Sequence, residues 1–394
     1  MTADECSFNM APMNTAKKSL ADDLATLPEE LRTRLDSAGF NHSRFMKLAA
    51  ELGENPSARA ERNRVAGEVS APLAHEIREL PSAGSAEEER LRAIGKNAIQ
   101  NGELAFCVMA GGMATRMGGV VKALVRALGE KTFLELRLNE NKSAGERAKR
   151  PVPLWLMTSE ATDEKIREAL QHAKAPPHVR AFMQDLGVRL TAEGELFRDQ
   201  GGAPSVHATG HGDLPDALRR SGLLHDFVKG GGKYVWITNL DNLGASIDDV
   251  VLGAFIDSQS DVMVEVCDKE ASDRGGIPVR ANGKLQVLEE FRLPTTFDPS
   301  TVRVFNTNTF LVNARHLLEA PFTWTFFQVE KKVDGAAVVQ FERLLQEITA
   351  HLSATYLRVP RNGEKSRFLP VKDHDELARR SREIEVVART RGMV

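Results

Sequence analysis

The sequence is poor in cysteine, carries little net charge and has no long apolar run, and each shortage excludes a class of protein. Its 394 residues include three cysteines, Cys6, Cys107 and Cys267, whose positions form no metal-binding spacing. The net charge of −3 argues against general binding to nucleic acid or anionic membranes. No apolar run is long enough to span a bilayer, and the N-terminus, with Asp4, Glu5 and no apolar block, does not resemble a signal peptide. We expect reduced thiols and a cytoplasmic protein without membrane contact.

The remaining composition, 42% hydrophobic, is sufficient for a large core. Residues 1–100 are predicted to form a helical segment packed on that core. Leucines at 24, 27, 31 and 35 recur at helical spacing, with Pro28 suited to a first turn. A second helical face contains Phe45, Leu48 and Leu52. Ser85 is a candidate cap for a third helix, whose first turn is acidic as the helix dipole prefers.

From residue 101 the pattern changes to alternating strands and helices. Strands are predicted near 104–109, 153–158, 233–238 and 261–267, and helices near 161–174, 213–229 and 246–259. This alternation predicts an α/β domain over 101–372, with a mostly parallel, doubly wound, Rossmann-like sheet. The tail, 373–394, is predicted to be one short charged helix with a narrow apolar stripe.

A glycine-rich loop follows the first of these strands and is the most informative segment. It reads VMAGGMATRMGG over 108–119, with Lys122 close behind. Glycines let the backbone approach a ligand and leave amide groups free to face phosphate or a base edge. The spacing fits neither a Walker loop nor a dinucleotide fingerprint. For the loop taken alone, the alternative is a tight turn in which Arg116 has no functional role.

Several further segments resemble one known family. The loop resembles the one that opens the catalytic domain of nucleotide-sugar pyrophosphorylases. Five segments follow in that family's order: PLWLMTS at 153–159, TGHGD at 209–213, WITNLDNLGA at 236–245, FNTN at 305–308 and SRFLPVK at 366–372. Together they are similar to the UDP-glucose pyrophosphorylases, the UTP–glucose-1-phosphate uridylyltransferase family, from about residue 100 to the C-terminus. The nucleotide-diphospho-sugar transferase fold is therefore expected, without the C-terminal β-helix domain of eukaryotic members.

The resemblance implies that glucose 1-phosphate attacks the α-phosphate of UTP in line, which yields UDP-glucose and pyrophosphate. No general base is required, because a phosphate oxygen is already an adequate nucleophile. The resemblance implies three catalytic cations, Lys372, Lys122 and Arg116. It also implies Mg²⁺ held by Asp241, a residue with no neighbouring cation in sequence. A hard cation of this kind binds one or two carboxylates together with substrate phosphates. A turn or helix cap is the alternative role for Asp241.

The resemblance also assigns binding residues. The residues expected at the nucleotide are Met109, Ala110, Gly111, Gly112, Lys122, Gln184, Gly210, Asp241 and Lys372. The residues expected at the sugar phosphate are His211, Asn239 and Asn308. Departures from the family pattern affect the expected sugar specificity more than the expected reaction. The family's Gly-Pro-Lys becomes VVK at 120–122, and Thr309 replaces the last asparagine of another motif. Glu290 lies near a sugar-contacting glutamate of the family and stays outside this set.

Two other functions remain open on the sequence. One is a pyrophosphorylase of the same fold acting on N-acetylglucosamine 1-phosphate or on several sugar 1-phosphates. The other is a catalytically silent nucleotide-sugar sensor, which need not retain Lys122, Asp241 and Lys372 together. A stable symmetric interface needs a substantial patch with few charges. The tail offers neither a β-helix nor such a patch, so we expect a monomer.

Overall fold

In a computed structural model, the chain is described over residues 19–394, so Cys6 and the two acidic residues near the N-terminus lie outside the described part. The helices are α1 (Leu20–Ala25), α2 (Glu29–Ser37), α3 (His42–Ala50), α4 (Pro56–Arg62), α5 (Ala86–Gln100), α6 (Phe133–Ala148), α7 (Asp163–His172), α8 (Leu214–Ser221), α9 (Leu223–Lys229), α10 (Asp249–Ser258), α11 (Ala314–Glu319), α12 (Ile348–His351) and α13 (His374–Thr390). No helix within residues 19–394 is long and apolar enough to cross a membrane.

The strands are mostly short and follow the predicted alternation with helices. They are β1 (Val69–Ser70), β2 (Ile77–Glu79), β3 (Leu104–Met109), β4 (Met113–Ala114), β5 (Val120–Val121), β6 (Arg126–Leu128), β7 (Lys131–Thr132), β8 (Leu154–Thr158), β9 (Val179–Met183), β10 (Leu186–Val188), β11 (Leu190–Thr191), β12 (Val206–Ala208), β13 (Tyr234–Asn239), β14 (Val262–Asp268), β15 (Gly276–Ala281), β16 (Lys284–Glu289), β17 (Val304–Asn313), β18 (Phe327–Val333), β19 (Ala336–Glu342) and β20 (Ala354–Arg358).

One eight-stranded sheet organises the molecule, with the order β2-β20-β14-β17-β13-β3-β8-β9. All neighbouring pairs are parallel except the two that involve β17, which runs antiparallel between β13 and β14. The prediction of a mostly parallel α/β fold is confirmed. β17 was not among the predicted strands, because the polar residues 306–309 interrupt its apolar pattern.

One predicted helix and the predicted N-terminal segment differ from the observed structure. The helix expected over 213–229 is divided into α8 and α9 at Gly222, whose φ of +77° cannot continue a right-handed helix. The N-terminal segment is also less uniformly helical than expected, since β2 joins the edge of the main sheet. The first three helices instead surround a small separate core that contains Leu24, Leu35 and Phe45 together with Phe341 of β19.

The helices α5 and α10 lie in close contact, and glycines make this approach possible. Gly95 of α5 faces the carbonyl of Asp249, and Gly253 of α10 faces the carbonyl of Leu91. A Cβ atom at either glycine would overlap the opposing carbonyl oxygen. Backbone atoms cannot move aside as a flexible side chain can, so the two helices would have to separate.

We therefore expect Gly253→Ala to destabilise the protein by about 2 kcal/mol, the usual scale of overpacking in a well-packed core. Chemical denaturation followed by circular dichroism measures this loss. Gly145→Ala in α6 is the matched control, because its Cβ would lie 3.2 Å from the nearest atom, the carbonyl oxygen of Arg150, and alanine favours a helix. Equal stability of the two variants would contradict the proposed close contact.

Candidate active site

The predicted site segments meet at one edge of the sheet. The glycine loop follows β3, Ser159 follows β8, Gln184 follows β9, and Asp241 follows β13; these four strands are consecutive and parallel. Carboxyl ends of parallel strands share an edge, which is where open α/β sheets bind ligands. The antiparallel β17 brings Asn308 to the same edge from its other end.

One part of this edge is a surface formed by the glycine loop and its neighbours. The Ser159 hydroxyl donates to the Gly111 carbonyl at 2.8 Å. A Cβ on Gly111 would lie 3.4 Å from Nε2 of Gln184, whereas a Cβ on Gly112 would meet open space. The structure thus places the predicted nucleotide residues Gly111, Gly112 and Gln184 together, directly after the buried Met109 and Ala110. We call Gly111, Gly112, Ser159 and Gln184 the glycine-loop surface.

Lys122 reaches from the end of this loop to Asp241. Its Nζ lies 2.6 Å from Oδ2 of Asp241, and the two side chains are only 19% and 15% exposed. The backbone amide of Lys122 donates to the Gly112 carbonyl, which ties the lysine to the loop. The sequence showed no cation adjacent to Asp241, and the structure supplies one from 119 residues away. Arg116 lies on an exposed single turn of the same loop.

A buried arginine, which the sequence analysis missed, holds the loop that contains Asp241. Arg137 of α6 is fully buried, and its charge is balanced by Glu140 at 2.7 Å. Its guanidinium donates to four carbonyl oxygens, those of Asn239, Leu240, Asn242 and Ala245. The signal for it was a charged residue between the apolar Leu136 and Leu138 of a helix.

Asn242 connects this loop to the segment that ends in Lys372. Its side-chain amide donates to the Arg367 carbonyl at 3.1 Å and accepts from the Leu369 amide at 2.7 Å. Arg367 is itself buried and makes a two-point ion pair with Glu265. The position of Lys372 therefore depends on the same interior contacts that position Asp241.

A polar cleft of about 680 Å³ adjoins the ion pair. Five of the predicted residues line it: His211, Asn239, Asp241, Asn308 and Lys372. Nδ2 of Asn308 donates to Oδ1 of Asn239 at 3.1 Å, and the left-handed backbone of Asn308, with φ of +57°, turns its side chain out of the β17 ladder. Lys372 is exposed and makes no ion pair within residues 19–394. The cleft also contains residues absent from the predicted set, among them Glu289 and Arg380 of α13.

His211 borders this cleft as a neutral imidazole. Its Nδ1 accepts a hydrogen bond from the Leu345 amide at 2.9 Å, so the proton resides on Nε2. Burial lowers the pKa of His211 to about 4. Gly210 has a φ of +94° and lies against the backbone of Arg343, which leaves no room for a side chain. This close approach explains why position 210 is a glycine. Its contact with a nucleotide stays a prediction.

Arg343 is a second buried arginine that the sequence analysis missed. It is fully buried and pairs with three carboxylates, those of Asp185, Asp213 and Asp216. Asp213 directly follows the loop of His211, and Asp185 directly follows Gln184. Burial raises the pKa of Asp213, although the Arg343 cation opposes that rise. This ion cluster thus positions the loops on both sides of the predicted nucleotide site.

The residues around Asp241 suit a metal ion that is bound mainly by the phosphates of a substrate. No cluster of three potential metal-ligating side chains occurs within residues 19–394, which argues against a site built from protein ligands alone. Asp241 uses Oδ2 for Lys122, and its Oδ1 makes no hydrogen bond in the described part of the chain. A carboxylate oxygen of this kind, beside the glycine-loop surface, matches the way proteins hold Mg²⁺ together with substrate phosphates.

Comparison with known sequences gives one family. A family model described as UTP–glucose-1-phosphate uridylyltransferase matches residues 62–388. UTP–glucose-1-phosphate uridylyltransferase 2 of Dictyostelium discoideum is 31% identical over 296 residues, which cover 70% of this chain and 57% of that protein. The enzyme of the same name from Musa acuminata is 30% identical over 70% of this chain and 62% of its own length. The chain therefore spans about 60% of the length of these relatives.

Solved structures show the same fold. A mutant of UDP-glucose pyrophosphorylase from Leishmania major has a TM-score of 0.68 at 23% identity, covering 89% of this chain and 79% of that one. UDP-N-acetylglucosamine pyrophosphorylase from Trypanosoma brucei also has a TM-score of 0.68, at 20% identity, covering 89% and 81%. At these identities the likeness establishes the fold and leaves the sugar undecided.

We expect His211 to remain neutral down to about pH 4. Its folded-state pKa of about 4 lies below the ordinary value of 6.5, so the unfolded chain takes up the proton first as pH falls. Stability should therefore fall between pH 6.5 and 4 in the wild type relative to His211→Gln, by about 3 kcal/mol. His207, whose pKa burial also lowers to about 4, is present in both proteins and cancels.

Denaturant unfolding at several pH values measures this difference, and NMR of the labelled imidazole nitrogens measures the pKa itself. A His211 resonance that titrates near pH 6.5 would show that the imidazole is not buried as described.

Proposed function

The chain belongs to the UTP–glucose-1-phosphate uridylyltransferase family, and we propose that it transfers the uridylyl group of UTP to glucose 1-phosphate. The observation that carries this proposal is the position of the Lys122–Asp241 ion pair. The pair adjoins the polar cleft and belongs to the same sheet edge as the glycine-loop surface. Two anionic substrates placed in these neighbouring sites would meet at a paired cation and carboxylate.

The glycine-loop surface suits the uridine of UTP. A side-chain amide such as that of Gln184 both donates and accepts, and it can therefore match the carbonyl and N–H groups on the edge of uracil. Gln184 is only 7% exposed, so a base that left its amide unpaired would lose binding energy. Because Gly111 and Gly112 have no side chains, the base and ribose can lie close to the backbone of the loop.

The polar cleft suits the sugar phosphate. Nε2–H of His211 is a neutral donor at its wall, which can contact a phosphate or hydroxyl oxygen without a change of protonation at neutral pH. The amides of Asn239 and Asn308 donate and accept, as hexose hydroxyl groups require. Their mutual hydrogen bond holds both side chains at the cleft.

The reaction is a displacement at phosphorus. A phosphate oxygen of glucose 1-phosphate forms a bond to the α-phosphorus of UTP, and the bond from that phosphorus to the β-phosphate oxygen breaks. The electron pair of the broken bond leaves with pyrophosphate. Lys122, Lys372 and Arg116 stabilise the charge that moves to the leaving group. Bound Mg²⁺, held by Asp241, would supply further neutralisation of the phosphates.

We place this activity in a reducing cytoplasm and in a monomer. Both cysteines of the described chain are free and buried. The apolar residues Ile384 and Val387 of α13 are already buried within the chain. Large exposed hydrophobic residues within 19–394 are few and scattered: Leu73, Val120, Phe291 and Val394. No extended apolar patch is thus available there for a symmetric interface or a membrane.

Release of pyrophosphate from UTP and a panel of sugar 1-phosphates tests the proposal. We expect the highest kcat/KM with UTP and glucose 1-phosphate. Preference for N-acetylglucosamine 1-phosphate would support the same chemistry with a different sugar. No turnover with any sugar, together with tight binding of UDP-glucose, would instead indicate a sensor.

Lys372→Ala should reduce kcat about a hundredfold, since it removes a cation from phosphates whose charge changes during the reaction. The side chain is exposed, so the fold and stability should be unaffected. Lys365→Ala, at another exposed lysine on the same segment, is the matched control and should turn over normally. Similar rates for both variants would remove Lys372 from the mechanism.

Asp241→Asn should abolish most Mg²⁺-dependent activity and leave the affinity for UMP nearly unchanged. The substitution keeps the size of the side chain but removes its charge, both toward the metal and toward Lys122. Initial rates over a Mg²⁺ titration and calorimetry with UMP measure the two effects separately. Asp226→Asn, at a side chain 85% exposed in α9, is the control. An unchanged Mg²⁺ requirement would mean that Asp241 only orders its loop.

A further inference from the structure

The helix α13 forms one wall of the polar cleft. Four of its side chains line the cleft: Glu376, Arg379, Arg380 and Glu383. They recur at intervals of three and four residues, so they share one face of the helix. The adjoining face is fixed to the protein interior by Ile384 and Ala388, which are fully buried. The cleft therefore has a wall of charged side chains on a helix that is firmly anchored.

The carboxylate of Glu376 joins Lys372 to Arg380. Oε2 of Glu376 accepts from the backbone amide of Lys372 at 2.8 Å. Oε1 of the same group lies 3.3 Å from Nε of Arg380. The Glu376 side chain is only 13% exposed, so the surrounding protein limits its freedom. One carboxylate group thus holds Arg380 close to the lysine proposed for catalysis.

The guanidinium of Arg380 has donors that the fold does not use. Its Nε faces Glu376, whereas its two terminal nitrogens make no hydrogen bond within residues 19–394. The side chain is 23% exposed, and neither terminal nitrogen is buried. A ligand in the cleft can therefore accept from them without breaking a contact of the folded chain.

The charges on this side of the cleft favour an anion. Arg379 and Arg380 share a single oxygen of Glu376, at 3.6 and 3.3 Å, so one carboxylate balances only one of the two arginines. Lys372 adds a further cation. Glu383 is exposed and makes no ion pair in the described part of the chain, so solvent screens its charge. Three cations thus face two carboxylates here.

The carboxylates elsewhere in the cleft do not compete for Arg380. Each is already engaged by another side chain: Asp241 by Lys122, Glu270 and Asp273 by Arg361, and Glu289 by the amide of Gln346. The excess of positive charge on the α13 side is therefore available to a ligand.

We propose that Arg380 is a second phosphate-binding cation of the polar cleft and acts beside Lys372. The two terminal nitrogens of a guanidinium lie in one plane and match two oxygens of a phosphate group. That phosphate belongs to the sugar 1-phosphate or to pyrophosphate. The identity of these ligands rests on the proposed function, whereas the binding of a phosphate group by Arg380 does not.

Calorimetric titration of the full chain with glucose 1-phosphate and, separately, with pyrophosphate tests the proposal at constant ionic strength and Mg²⁺ concentration. We expect Arg380→Ala to weaken binding about tenfold, the usual scale for one hydrogen bond to a charged group. Arg380→Lys, which keeps the charge but lacks the planar pair of donors, should recover part of the loss. A loss for pyrophosphate alone assigns Arg380 to the leaving group, and a loss for glucose 1-phosphate alone assigns it to the acceptor.

Arg382→Ala is the matched control, because Arg382 is exposed on the same helix and does not line the cleft. It should bind both ligands as the wild type does. Without ligand, the Tm of Arg380→Ala should be nearly unchanged, since a partly exposed ion pair contributes little to stability.

Two results would overturn the role of Arg380: no binding of either anion by the wild type, or equal affinities in the wild type and Arg380→Ala. Normal pyrophosphate release by Arg380→Ala with unchanged affinities would leave the proposed function standing without this inference. Phosphate binding that depends on Arg380, in a protein without turnover, would support the inference and contradict the proposed function.

Discussion

The site depends above all on the buried guanidinium of Arg137. The loop after β13 turns four carbonyl groups inward, and in an apolar interior each would be costly without a donor. Arg137 supplies donors to all four from a single side chain, and Glu140 balances its charge. With its carbonyls held inside, the loop projects the Asp241 side chain outward toward Lys122. Removal of the guanidinium would leave the buried charge of Glu140 without its cation and would take from the four carbonyls the donors that it supplies, and breaking a buried ion pair from one side is strongly destabilising.

The same interior network extends to the other half of the site. Asn242 belongs to the loop that Arg137 holds, and its amide also fixes the backbone at Arg367 and Leu369. Two segments more than a hundred residues apart in sequence are therefore ordered by shared contacts. Arg343 has the corresponding role for the loops of Gln184 and His211, through its three carboxylate partners. Each buried arginine thus helps to order loops that follow different strands at the candidate site.

The sequence predicted the exposed residues of the candidate site better than the buried residues that support them. The βαβ alternation placed the glycine loop and Asp241 at one sheet edge, and the motif order indicated the family. The Lys122–Asp241 ion pair could not be inferred, because it joins residues whose proximity depends on the register of β3 and β13. Arg137, Arg343 and Arg367 resemble ordinary surface charges in sequence, and only the fold shows that they are buried. β17 was missed because the polar residues 306–309, three of which line the cleft, interrupt its apolar pattern.

This division has a consequence for how the site would operate. The carboxylate proposed for the metal and the imidazole at the cleft are held by buried networks, so little ordering is needed when substrates arrive. Arg116 and Lys372 are exposed, and each long side chain loses conformational freedom when it closes on phosphate. Rigid groups aid catalysis when their geometry already suits the transition state, whereas mobile cations allow substrates to enter and pyrophosphate to leave. On the proposed function, positioning would thus depend on interior contacts, and the exposed side chains of Arg116 and Lys372 would add to the charge neutralisation that the paired Lys122 supplies.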